Sequence, residues 1–520
     1  MSARGERLGQ SLAGEVLDLI YRPRLAREMT HAIDHMHAVS QAHLLMLLDA
    51  HLIDHGSAAI VANEMLALED AGQAGLPNDP ALEDLYFNYE TALTRRLGNA
   101  ALGGSLHVGR SRNDIGATTD RMRARLEVLD LIEQLNAVRR CLLDGARRHA
   151  DVIMPGYTHM QPSQPVTFGF YLLGPASAFA REVERFQDEL RRMDRSPLGA
   201  AAMAGTSFPI DRALTAGLLG FASPVEHGQD AVASRDWMIA LASINASVAV
   251  LWSRIAQDFY IWSTMEFGLI DFADSLAGVS SIMPQKKNPV VLEVLKANAG
   301  EVIGDLTALL STIRASHFTH SIDATRASLN RAWSSFETSH ASLTLLALAI
   351  RSVAPRADRM TQLSRSNFST MTDLAELLTQ SFGLSFREAH HAVGSIVRAA
   401  LADRIPSDGI TPGMVSEALS KLGGEVPAID AQWLAEALEP ANSLARRQSA
   451  GSPAVDNVHT MLEQLEAGLD KDEAALAETR RAIQAGRVAL REQIKELASS
   501  AGVTAQGSHG IPGGMIATET

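Results

Sequence analysis

The side chains able to do chemistry fall into four polar clusters. The densest runs Gly278-Val279-Ser280-Ser281-Ile282-Met283-Pro284-Gln285-Lys286-Lys287-Asn288-Pro289. A glycine and two hydroxyls suit a mobile loop. Asn288-Pro289, followed by the helix-like run Val290 to Lys296, reads as an N-cap and first helical residue. A helix N-terminus behind two lysines can hold an anion; the alternative is a plain junction with solvated lysines. A second cluster, His107 to Asp114, carries Arg110, Ser111, Arg112 and Asn113 after a Gly103-Gly104 break. Guanidinium and amide donors are what a carboxylate requires, and equally what a capped, solvated loop contains. In the third, Gly156 to Pro165, Thr158, Gln161 and Gln164 surround His159 and can fix its tautomer. The fourth, Gln229 to Asp236, opens an apolar helix. Arg235 is disfavoured there by the helix dipole, so it either pairs with Asp230 or Asp236 or binds an anion.

The elements that must carry these clusters are helical. Alanine and leucine abound and aromatics are only 5%, which favours helix over sheet. Apolar spacing predicts long helices over 122–150, 168–193, 230–262, 289–315 and 336–353. The clearest has Trp237, Leu241, Ile244, Val248, Leu251, Ile255 and Phe259 in one stripe. Such helices bury little alone, so a bundle that continues into other subunits is expected. The expected organisation is a mostly helical segment 1–114, a long-helix bundle 115–365, a small helical segment 366–465, and a helical extension with a disordered tail over 466–520.

Composition narrows the partners. A net charge of −14 without a basic face argues against nucleic acid. The N-terminal residues lack a signal-peptide core, and no uncharged apolar stretch of about 18 residues stands out as a membrane span. The single cysteine, Cys141, excludes an internal disulfide, reads as a small core residue, and fits a reducing cytoplasm. No His-Glu-x-x-His, phosphate loop, dinucleotide fingerprint or Gly-x-Ser-x-Gly elbow is present, so no metal and no cofactor are expected.

Taken in order, the clusters resemble those of the fumarase/aspartase superfamily. Gly278 to Pro289 is similar to its Gly-Ser-Ser-x-Met-Pro-x-Lys-x-Asn-Pro signature. Met283-Pro284-Gln285-Lys286-Lys287-Asn288-Pro289, Gly109 to Asp114, Thr158 to Gln161, Ala204 to Arg212, Thr372 to Ala375 and Phe386 to His390 resemble the argininosuccinate lyase branch. The resemblance covers roughly 30–465. It implies an all-α homotetramer with a central long-helix bundle and active sites shared by three subunits. It also implies cofactor-free, reversible β-elimination of an amine from an N-succinyl group, releasing fumarate. By motif match Ser280 is the general base, His159 assists departure of the amine with Glu293 as its charge partner, and Lys286 supports the base. Ser111, Arg112, Asn113, Thr158, Gln161, Arg235, Ser281, Met283 and Asn288 match substrate-binding positions. Proton removal beside a carboxylate makes an aci-carboxylate dianion, and these donors would have to be aimed at it beforehand.

The resemblance weakens on the amine side. The signature ordinarily continues Asn-Pro-Asp; here Val290 follows. The family's amine-holding Tyr, Gln and Lys correspond by spacing to His320, Thr325 and Ser328, and its N-terminal Ser and Asp to Leu25 and Met29. The implied reading is the same elimination with another amine, as in the aminopolycarboxylate lyases. His317, His320 and Asp323 are the candidates for the amine pocket. Argininosuccinate lyase itself, a non-catalytic member of the fold and an oxygen lyase such as fumarase are the competing readings.

Overall fold

The computed structural model describes residues 10–423 and 426–500. The 501–520 tail read as disordered lies outside the described residues. The chain is mostly helical, with short two-stranded ladders at the helix ends.

The N-terminal helices are α1 (Arg22–His31), α2 (Ile33–Asp49), α3 (His55–Ala71) and α4 (Leu85–Leu97). Asp54 and Asp84 cap α3 and α4 by accepting backbone N–H bonds, and Gly98 ends α4 in the left-handed conformation that glycine adopts freely. The Gly103-Gly104 pair, read as a break, lies inside a short helix, Ala100–Ser105. Gly103 is there because a Cβ would sit 2.8 Å from the Thr94 Cβ.

Five long helices then run up and down. They are α5 (Arg112–Arg148), α6 (Phe168–Met193), α7 (Asp236–Trp262), α8 (Val290–Ile313) and α9 (Ser328–Ser352). Between α5 and α6 lies a β-hairpin, β1 (Ile153–Thr158) with β2 (Gln161–Thr167). Before α8 a shorter hairpin pairs β3 (Gly278–Val279) with β4 (Lys287–Asn288). The apolar stripe read on α7 is buried as expected, apart from the half-buried Leu251. That helix is long and apolar enough to cross a membrane by length and composition alone. Its apolar residues are spent on the bundle core, where the Trp252 indole N–H also donates to the Leu295 carbonyl at 2.9 Å. Cys141 is buried in the same core.

Helix starts differ from the expectation where polar residues serve the backbone, and α7 and α9 also start six residues later and eight residues earlier than expected. Helix α5 begins ten residues early, at Arg112, because Ser111 and Asp114 form a reciprocal capping box and Thr118 and Thr119 bond back to Asp114 and Gly116 carbonyls. Polar residues that read as a loop are a helix start. In α8 the N-cap is Pro289, with no side-chain cap. Asn288, expected as the cap, is one residue outside and pairs with Gly278 in the β3–β4 ladder.

A third core forms around α10 (Met371–Phe382) and α11 (Phe386–Ala402). The last helix, α12 (Val455–Ser499), is about 68 Å long at 1.5 Å per residue. Its first half puts Val458, Leu462 and Leu469 into the bundle core, and its last turns put Leu490, Ile494 and Leu497 into the N-terminal core. Ion pairs Arg139–Asp472 (2.6 Å), Arg140–Glu473 (2.7 Å), Arg480–Glu133 (2.9 Å) and Arg491–Glu69 (3.1 Å) line the seam. The apolar contacts carry most of the docking, since the solvent-exposed pairs among these contribute at most about 1 kcal/mol each, Arg139 alone being buried.

Candidate active site

The expected site residues gather at two ends of the bundle. At one end Ser111 caps α5, Arg112 and Asn113 are its first residues, Arg235 is the residue before α7, and His320 lies between α8 and α9. At the other end the β1–β2 turn carries Thr158, His159 and Gln161, and the β3–β4 loop carries Ser280, Ser281, Met283 and Lys286 just ahead of Glu293. The ends are joined by α5, about 55 Å long, and α8, about 36 Å long. No single chain brings these two groups together.

The first end is built on Asp114. Burial pushes its carboxyl up to about 6, while the backbone N–H groups of Ser111, Ala201 and Gly199 pull it down. It therefore ties the start of α5 to the 199–201 loop, at 2.9 Å to each of those amides. Asn113 donates to the Ala202 carbonyl at 3.0 Å. Arg112 Nη1 lies 2.9 Å from Glu83 and 3.1 Å from Asp84, with its guanidinium over the Phe87 ring. Arg235 is buried. It donates to the Ser234 carbonyl at 2.6 Å, and its Nε has no partner. It makes neither of the pairings with Asp230 and Asp236 that the sequence allowed; the acid nearest it electrostatically is Asp120.

His320 is half-buried, with a partnerless Nδ1. Burial lowers its pKa to about 4, and Arg326, Arg235, Arg24 and Arg112 push the same way. Four guanidiniums thus converge on this spot. Two of them, Arg24 and Arg326, were missed in the sequence. One signal was available: Gly116 in the second turn of a helix costs about 1 kcal/mol relative to alanine, which marks a close approach. A Cβ there would lie 2.8 Å from Arg326 Nη2. The other amine-pocket candidates do not join this group. Asp323 accepts from Ser316, Ser321 and its neighbour's amide at the start of a π-helical turn, Asp323–Ala327, and His317 is exposed.

At the second end His159 and Met160 hold positive φ (54° and 57°) at the tip of the β1–β2 turn, which thrusts the histidine outward. His159 is exposed. Glu293, its expected charge partner, accepts instead from the Tyr260 hydroxyl at 3.2 Å, beside Lys296 stacked on that ring. Ser280 Oγ accepts the backbone N–H groups of Met283 (3.1 Å) and Ile282 (3.4 Å). Two donors on one hydroxyl oxygen favour its anionic form. The structure separates the two lysines. Lys287 is tied to Asp271 (3.1 Å) and Asp274 (2.9 Å) and braces the hairpin, whereas Lys286 is exposed with no ion pair among the described residues. Val279 and Ile282 are exposed apolar residues on the same loop. Among the described residues no group of three His, Cys, Asp or Glu side chains could hold a metal ion.

Against known proteins, residues 35–304 match a lyase family and residues 368–445 the argininosuccinate lyase C-terminal family. Argininosuccinate lyase 1 of Shouchella clausii is 35% identical, over 94% of this chain and 98% of that protein. Two solved structures share the fold at about 30% identity. EDDS lyase in complex with formate is 29% identical with TM-score 0.85, over 96% of this chain and 99% of that one. An EDDS lyase variant with bound fumarate is 30% identical with TM-score 0.84, over 96% and 98%.

Proposed function

The chain belongs to the argininosuccinate-lyase-like lyases of the fumarase/aspartase superfamily and is a carbon–nitrogen lyase; from that premise we propose that it releases fumarate from an N-(1,2-dicarboxyethyl) amine in which the amine is not arginine. One observation carries the amine half of this reading. The positions that correspond to the branch's amine-holding residues offer nothing to a guanidinium. Leu25 and Met29 are buried hydrocarbon, and the buried Thr325 and Ser328 hydroxyls are spent on the Ser321 and Ala324 carbonyls at 2.7 Å. What stands there instead are Arg24, Arg112 and Arg326, already paired with Glu28, Asp84, Glu83 and Asp120, so those acids are taken up before a guanidinium arrives.

In the proposed reaction Ser280, as an alkoxide held by the Met283 and Ile282 amides and by the Lys286 charge, takes the Cβ proton. The electron pair moves into the adjacent carboxylate, giving a dianion. Arg112, Asn113, Asn288 and Lys286 bind the two carboxylates and stabilise that charge. The C–N bond then breaks as the nitrogen takes a proton, with His159 on the leaving side, and fumarate and amine depart. Thr158, Gln161, Ser111, Ser281, Met283 and Arg235 shape the dicarboxylate site.

These groups meet only between subunits, so the reading includes a homotetramer in which the Arg112 end of one chain receives the His159 and Ser280 ends of two others. Its support is the separation of the ends and the exposed Ile303 and Leu310, seven residues apart on one face of the central helix α8.

The purified protein, incubated with fumarate and a panel of amines, should consume fumarate measured by ultraviolet absorbance. No consumption with any amine, together with no fumarate from argininosuccinate, refutes the reading. Fumarate release from argininosuccinate as the best substrate would favour the second reading, argininosuccinate lyase, which the name of the Shouchella relative supports.

A further inference from the structure

Glu293 is an exposed acid in the first turn of α8, where the helix dipole favours a negative charge. Its Oε1 accepts from the Tyr260 hydroxyl at 3.2 Å, and among the described residues it makes no ion pair. Tyr260 is half-buried in the last turn of α7, one residue past Phe259 of the core stripe. Lys296 follows Glu293 by three residues on α8, a spacing at which a lysine ordinarily closes on the acid. Here it does not. Its Nζ lies over the Tyr260 ring, 4.3 Å from the centroid.

One ring therefore does two things to the same carboxylate. Its hydroxyl fixes one oxygen, and its face draws off the cation that would otherwise neutralise the other. The polarity of the hydrogen bond is set as well. The Glu293 carboxylate pushes the Tyr260 hydroxyl above its ordinary pKa, so the proton stays on the tyrosine and the acid stays ionised. Glu293 Oε2 accepts no hydrogen bond among the described residues. A tyrosine at a helix end more often gives its hydroxyl to water, and a glutamate and lysine three apart more often pair with each other. Both ordinary outcomes are replaced here by contacts that leave a held, charged carboxylate with one free oxygen.

Resting on the function proposed above, we infer that Tyr260 and Lys296 are positioning residues for the leaving side of the reaction: Tyr260 holds Glu293 Oε1, its ring keeps Lys296 off the carboxylate, and Oε2 is left to meet His159 across the shared site. A carboxylate held in one orientation fixes the imidazole and stabilises its protonated form. The proton given to the departing nitrogen as the C–N bond breaks comes from that imidazolium. Glu293 remains a carboxylate throughout, and Tyr260 keeps its own proton. Neither Tyr260 nor Lys296 touches the substrate, so both act on the rate of bond breaking and not on binding of the dicarboxylate.

The test uses the full-length protein with fumarate and whichever of ethylenediamine, aspartate and arginine it consumes fastest. Tyr260→Phe keeps the ring, and with it the stacked lysine, and removes only the donor. Its kcat should fall about three- to tenfold, the scale of one neutral hydrogen bond, at unchanged KM for fumarate and unchanged thermal midpoint. The same substitution made in the Glu293→Gln protein should cost little further, because both act through one carboxylate. Tyr260→Leu removes ring and donor together and releases Lys296 onto Glu293, so it should cost more than Tyr260→Phe; adding Lys296→Met to it should restore part of the rate. A normal kcat in Tyr260→Phe overturns the inference while leaving the fumarate chemistry standing. So does an equal Tyr260→Phe loss in the Glu293→Gln background, or a Lys296→Met addition that restores nothing. Where Glu293→Gln is too slow to measure, the Lys296→Met rescue decides. No fumarate consumed with any of the three amines, and none released from argininosuccinate, overturns the proposed function and this inference with it.

Discussion

Acid should loosen the N-terminal helices well before it protonates ordinary carboxylates. Burial lowers the His35 pKa to about 3, with Arg487, Arg125 and Arg123 adding to the effect. Burial lowers His43 to about 3 as well, with Arg110 next. His43 Nε2 donates to the Val108 carbonyl at 2.8 Å, so its other nitrogen, buried and partnerless, would have to take the extra proton. Each folded pKa lies below the ordinary 6.5. The unfolded chain therefore binds more protons below pH 6.5, so stability is full above that pH and falls as pH falls towards 3. Between pH 7 and pH 5 each histidine costs about 2 kcal/mol, or about 4 kcal/mol together. Asp114, raised to about 6, works in the opposite sense and returns roughly 1 kcal/mol over the same interval. The net loss of about 3 kcal/mol is a large part of a typical stability of about 5–15 kcal/mol. Urea unfolding at pH 7.0, 6.0 and 5.0, with hydrogen exchange read over residues 33–49, measures it. His35→Gln, which cannot titrate, should remove about half of the histidine slope whatever it does to absolute stability. A pH-independent midpoint over this range, or an unchanged slope in His35→Gln, refutes the reasoning.

Other expectations follow from the two ends of the bundle. Ser280→Ala should lower kcat by about 10²–10⁴-fold with fumarate binding retained; a near-normal rate rules Ser280 out as the base. Lys286→Ala should cost about 10²-fold or more in kcat/KM at unchanged thermal midpoint, whereas Lys287→Ala should lower the midpoint by unpinning the β3–β4 hairpin, and the reverse pattern contradicts the division between them. Gly116→Ala should fold to within about 1 kcal/mol of the parent while raising KM for the amine, because the new methyl displaces the mobile end of Arg326; an unchanged KM argues against that contact. Ser280→Ala and Arg112→Met proteins should each be inactive alone and recover part of the activity when co-expressed, since mixed tetramers contain sites with neither lesion. No recovery speaks against shared sites.

Much of the fold could be read directly. Local spacing placed α6 to the residue and α7, α8 and α9 to within several residues, because a stripe of core residues repeats every three or four positions whatever it packs against. Boundaries failed where polar residues serve the backbone. Ser111 to Asp114 looks like a loop yet starts the longest bundle helix, and Asn288 looks like a cap yet lies in a strand. The split of Lys286 from Lys287 was also hidden, since adjacent lysines differ only in which one meets Asp271 and Asp274.

The sequence by itself determined the helical class and, through four motifs in order, the family and its elimination chemistry. Those features reside in short contiguous stretches, where chemistry and spacing are visible together. Only the tertiary structure decided which residues share a site. It set the Arg112 and His159 groups beyond opposite ends of α5, a helix about 55 Å long, and it brought Arg24, Arg112, Arg235 and Arg326 around His320 from four separate stretches of the chain. Such convergence is fixed by helix length and packing direction, long-range quantities that no local residue pattern encodes. The grouping of these arginines around His320 therefore came into view only once the chain was folded.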